Sequence, residues 1–141
     1  MVEIKETWSD SDFENMGWHD CRLYDLAFPD ENFELKLDID YIFEWLKDNK
    51  GDVSGFLVSP CELVFENVSA FKVDVDFNDS MFLFIENIMR FNERLTPNKK
   101  MTMWDFKIEC EHGYISFSAT GFKQKIMKPP VRSETQDIKR V

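Results

Sequence analysis

The sequence is short of glycine and proline, with five of each in 141 residues, and shorter still of cysteine and histidine, with three and two. Cys21, Cys61 and Cys110 are an odd number without framework spacing. That excludes a disulfide scaffold and fits buried free thiols in a reducing compartment. No apolar stretch reaches membrane-spanning length. The first twelve residues carry Glu3, Glu6 and Asp10 and no apolar segment, so no secretory signal is read there and the expected location is the cytoplasm. Asn67-Val68-Ser69 and Asn78-Asp79-Ser80 match the glycosylation acceptor pattern, which without secretion counts as chance. Positive charge is the other deficit: 17 Lys and Arg stand against 27 Asp and Glu, a net charge of -10. Such a chain repels phosphate backbones and anionic headgroups, so nucleic acid and membrane surfaces are not expected partners, whereas a basic protein is.

What the chain does hold is period-two alternation. Phe33-Glu34-Leu35-Lys36-Leu37-Asp38-Ile39-Asp40-Tyr41 and Phe71-Lys72-Val73-Asp74-Val75-Asp76-Phe77 place apolar residues on one face and mostly acidic ones on the other. This describes strands with one face on a core and one in water. Fourteen Phe, four Trp and three Tyr supply large apolar areas and favour strand over helix. A length of 141 residues fits one domain.

Read along the chain, Ser9-Asp10-Ser11-Asp12 caps a short helix that ends by Gly17. Cys21 to Phe28 and Phe33 to about Phe43 form a hairpin around Pro29-Asp30-Glu31-Asn32. Tyr41 to Lys47 fits either a helical face or continued alternation, and strand is preferred. Phe56 to Glu66 is a strand in which Pro60 marks an edge or a bulge. Phe71 to Phe77 follows. Met81 to Phe91 fits a helix capped by Ser80 or a strand, with strand preferred. Trp104 to Cys110 pairs with Tyr114 to Phe122 across Glu111-His112-Gly113. The expected fold is mainly β: a single-domain antiparallel curved sheet, sandwich or partly closed barrel of about seven or eight strands with one or two short helices. Residues 121 to 141 hold six Lys or Arg against two acids. With Pro129 and Pro130, this sets a polar basic tail at 128–141 beside a domain at 1–127, the tail being frayed, docked on the acidic body or ordered by a partner.

The sharpest chemical grouping is Trp18-His19-Asp20-Cys21 with Cys110-Glu111-His112. Residues two apart on a strand share a face, so the two Cys/His pairs would supply four ligands if they met, but the spacing is not that of familiar zinc sites. No cysteine precedes a helix or adjoins a glycine turn that would hold an oxyanion, which disfavours a thiol nucleophile. Trp18, His19 and Asp20 remain the best functional spot, or else a junction pinned by the indole. Asp38, Asp40, Glu62, Glu66, Asp74 and Asp76 all fall on the wet face by alternation. Acid and base catalysis needs one carboxyl buried, and calcium needs a flexible loop, so this face is either solvated or a binding face for a basic partner. No metal and no cofactor are expected.

Gly17-Trp18-His19-Asp20-Cys21-Arg22-Leu23-Tyr24, Leu63-Val64-Phe65-Glu66-Asn67-Val68, Val73-Asp74-Val75-Asp76 and Ala119-Thr120-Gly121-Phe122 resemble a group of small bacterial β-rich proteins. That group is similar to immunity proteins of polymorphic toxin systems. The likeness covers most of Gly17 to Pro130 and brings no catalytic residues. It implies a non-enzymatic cytosolic antidote that binds a basic toxin through charge and shape. The alternative is a small-molecule-binding barrel or sandwich in which Trp45, Phe65 and Trp104 line a cavity. Tyr24, Trp45 and Phe56 are the candidate anchors of an interface, if exposed.

Overall fold

The computed structural model describes residues 4–78 and 81–139. Asp79 and Ser80, and with them the second acceptor pattern and the Ser80 cap, lie outside the described residues. Ten strands form one antiparallel sheet: β1 (Thr7–Ser9), β2 (Cys21–Ala27), β3 (Leu35–Lys47), β4 (Val53–Glu66), β5 (Ser69–Val75), β6 (Leu83–Leu95), β7 (Thr102–Cys110), β8 (Gly113–Ala119), β9 (Gly121–Ile126) and β10 (Val131–Ser133). Their order is β1-β9-β4-β3-β2-β6-β7-β8-β5, with β10 beside β4. The only helix among the described residues is a single 3-10 helix at Asp10–Asn15. Both ambiguous stretches are strand: Tyr41 to Lys47 continues β3, and the stretch from Met81 to Phe91 enters β6 at Leu83. No described helix is long and apolar enough to cross a membrane.

The sheet curls on itself without closing into a barrel. Phe65 on β4 and Phe117 on β8 are five strands apart in the order, roughly 24 Å in a flat sheet at the usual strand spacing. Their ring centroids lie 4.6 Å apart. Curling therefore brings the inner faces of the two halves together, and Phe65, Phe106, Phe117 and Phe122 fill the space between them. Leu35, Leu37 and Ile39 of the first alternating stretch are buried in that core, as alternation predicts.

Two details of the chain path depart from the sequence reading, and a third falls among its alternatives. The stretch from Tyr114 to Phe122 is two strands, because at Thr120 the chain leaves β8 and crosses to β4, where the Thr120 N–H donates to the Glu66 carbonyl at 2.9 Å. Pro60 lies in an interior strand, not on an edge. Its missing N–H falls at the gap between β9 and β10, and its carbonyl accepts from the Met127 N–H at 2.8 Å. The segment after Lys128 is docked: Val131–Ser133 pairs with Phe56–Val58, and the Ser59 hydroxyl donates to the Lys128 carbonyl. The predicted tail at 128–141 is thus, through residue 139, part of the folded body.

A groove of carboxylates on the outer sheet face

Alternation along β3 places Lys36, Asp38 and Asp40 on the outer face, opposite the core-facing Leu37 and Ile39. Asp25 falls opposite Asp38 in the register set by the turn between β2 and β3, and a bulge between Leu23 and Asp25 shifts the pairing beyond it. On the other side Asp38 faces Glu62, and Glu62 faces Lys125 of β9. Asp25, Asp38 and Glu62 thus occupy one cross-strand row. They line a groove of about 660 Å³ whose other charged residues are Lys36, Lys128 and Lys139. Like charges directly opposite cost stability, about 0.2–1 kcal/mol per pair, a cost that Lys125 opposite Glu62 and the lysines of the groove offset in part.

Asp40 departs from the expected wet face: it is fully buried. The docked C-terminal segment covers it, and its carboxylate accepts from the Tyr24 phenol and, at 2.9 Å, from the Ile138 N–H. Arg22 stacks over the Tyr24 ring at 4.4 Å and bonds Asp137 at 2.7 Å, which fastens the same segment. Burial alone raises the Asp137 carboxyl, but the hydrogen bonds from Arg22 and Thr135 and the Arg22 charge outweigh it and hold the group below its ordinary value. Burial first, and then the bond to Asp40, pushes the Tyr24 phenol up to about 12. Asp40 is therefore a fastening for the C-terminal segment rather than a contact surface.

The remaining predicted acidic residues lie apart from this row. Glu66 is on β4 near Lys123, at 3.9 Å. Asp74 and Asp76 belong to β5 and the turn after it, five strands from β3 in the sheet order. The Asp76 carboxylate accepts from both the backbone and the side chain of Asn78, a turn-stabilising role.

Of Trp18, His19 and Asp20 only the last two stay together, with His19 Nε2 3.6 Å from Asp20 Oδ2. The Trp18 indole is buried and donates to Gln124 Oε1 at 2.9 Å, which makes it the junction pin. His19 is exposed, stacks on Trp45 at 6.1 Å and directs Nδ1 at the Glu86 carbonyl. Asp20 has φ 64, so the strand alternation does not extend back from Cys21, and His19 and Cys21 share no face. Cys21 and Cys110 are buried on opposite sides of Ile85, and burial pushes both thiols up to about 12. Among the described residues no three His, Cys, Asp or Glu come together as metal ligands.

The three aromatics of the alternative reading lie in different settings. Phe65 is in the filled core, Trp45 is 38% exposed on the surface and Trp104 lies under Arg90. Of the three anchors, Phe56 is buried and Tyr24 is held by Asp40, which leaves Trp45. Sequence reasoning missed Asp25, although a hairpin centred between Glu31 and Asn32 pairs positions 25 and 38 by count alone. Comparison with protein-family models, with curated proteins and with solved structures yields no match.

Proposed function

We propose that the chain is a non-enzymatic acidic binding protein, an immunity-type antidote that captures a basic toxin. The observation that carries this reading is the row Asp25-Asp38-Glu62, three carboxylates set against one another in register on an open groove. A row of that kind is relieved when a body of opposite charge settles on it. The net charge of -10 extends the attraction beyond the contact and speeds encounter. Lys36, Lys128 and Lys139 match the three carboxylates in number within the groove, so a partner must fit a pattern of both signs, and selectivity follows. The filled aromatic core beneath the groove supports a surface function, and buried thiols that stay protonated at neutral pH are poor nucleophiles.

The test is affinity capture from lysates of the chain's own cells, with the intact chain and with Asp25→Asn, Asp38→Asn, Glu62→Gln combined. A basic protein retained by the first and lost from the second at equal salt supports the reading. Equal retention by both removes the groove from it.

A further inference from the structure

We propose that two copies of the chain pair through β5, antiparallel across a two-fold axis at Val73. β5 ends the sheet order and pairs only with β8 among the described residues, so its other edge presents backbone donors and acceptors to a further strand. The opposite end of the sheet is closed by β1, a strand of three residues. The two ends are therefore unlike, and only β5 offers a usable length.

The sequence of this edge complements itself. In an antiparallel pair centred on Val73, position 72 faces 74 and position 71 faces 75. Lys72 of each copy then opposes Asp74 of the other, twice by symmetry, while on the other face Phe71 meets Val75 and Val73 meets its own copy. Centring the pair on Val75 instead sets Asp74 against Asp76, a like-charge clash, so the pattern selects one register. Lys72 and Asp74 are both exposed and already lie on one face of the strand. A bulge between Ser69 and Lys72 confines the regular edge to 72–75, so the two Lys72–Asp74 pairs about Val73 set the register and Phe71 meets Val75 at its margin.

Apolar surface beside the same edge points the same way. Val73 is 45%, Phe77 42%, Phe28 71% and Met81 81% exposed, and all four line one groove of about 290 Å³ between β5 and β2. A strand added to β5 continues the sheet over this groove and takes Val73 and its neighbours out of water. The charge of -10 on each copy opposes approach, but at physiological salt the range of that repulsion is only about 8 Å.

Sedimentation equilibrium of the full chain at physiological salt tests the proposal, with Lys72→Asp and Asp74→Lys as variants. The intact chain should sediment at twice its 16.8 kDa mass. Each variant alone sets like charges together and should sediment as the monomer, with an unchanged circular dichroism spectrum. An equimolar mixture of the two restores opposite charges at both positions and should regain the doubled mass. A monomeric intact chain, variants that stay dimeric, or a mixture that fails to recover would each overturn the proposal, the first leaving the edge to a strand of another protein.

Discussion

The Tyr24 phenol donates to the buried carboxylate of Asp40, and this contact, with the Ile138 N–H on the same oxygen, ties the C-terminal segment to the middle of the sheet. Asp40→Ala leaves the Ile138 N–H without this acceptor and the Tyr24 phenol with the Ile138 carbonyl, 3.1 Å away. It should destabilise the chain by about 1–3 kcal/mol in urea unfolding, with early loss of amide protection near Ile138. Tyr24→Phe removes only one donor and should cost about 1 kcal/mol. The double variant should cost less than the sum, because the two residues share one interaction.

The Arg22 and Asp137 pair gives this attachment a pH dependence. Asp137 holds its proton less tightly folded than unfolded, so at acid pH the unfolded chain binds more protons. The stability it contributes is present above the ordinary carboxylate value of 3.8 and is lost as pH falls through the lower folded value. Asp137→Asn should flatten that acid limb, leaving the parts due to Asp105, which Ser118, Asn92 and Arg94 hold low in the same way, and to Asp12, held low by Lys5 and the Ser9 N–H. At the alkaline end the sign reverses. Tyr24 is raised from 10 to about 12, so its contribution persists to about pH 10 and is lost as pH rises through 12. Unfolding midpoints against pH check both limbs.

Trp18 and Gln124 make a second buried pair, with Gln124 Nε2 left without a partner. Gln124→Leu strands the indole N–H and should cost about 1–3 kcal/mol, whereas combining it with Trp18→Phe removes both polar groups and should recover part of the loss. Unfolding by guanidinium measures the difference.

Two glycines should differ sharply. A Cβ at Gly113, where φ is 150, would lie 1.9 Å from the Asp74 backbone carbonyl, so Gly113→Ala must push β5 away from β8 and should cost more than about 2 kcal/mol. At Gly121 the obstacle is the Asp10 carboxylate, 2.2 Å away at the end of a side chain that can turn aside. Gly121→Ala should therefore cost less, and Asp10→Ala should relieve it. Thermal unfolding midpoints compare the four chains.

The limits of the sequence reading have physical causes in particular residues. Alternation in Leu35 to Ile39 reports which side of the pleat each residue takes, and it locates the core correctly. It carries no information on what lies across that side, so Asp40, covered by residue 138 from far along the chain, reads as wet. Strands of three residues, such as Thr7–Ser9 and Val131–Ser133, are too short to show a period, which is why ten strands read as seven or eight. At Thr120 the alternation runs on while the strand's partners change, a crossing decided by tertiary contacts with Glu66. The carboxylate row needs register as well as alternation. Asp38 and Glu62 are legible singly, and Asp25 joins them only through the register of the hairpin.

Steering of a basic partner by Asp25, Asp38 and Glu62 is read from the association rate constant measured across a range of salt concentrations. The partner is the basic protein retained in the capture experiment. Neutralising the three carboxylates should slow association at low salt and make the rate less dependent on salt, with dissociation changing less. A rate and a salt slope equal to those of the intact chain would contradict it.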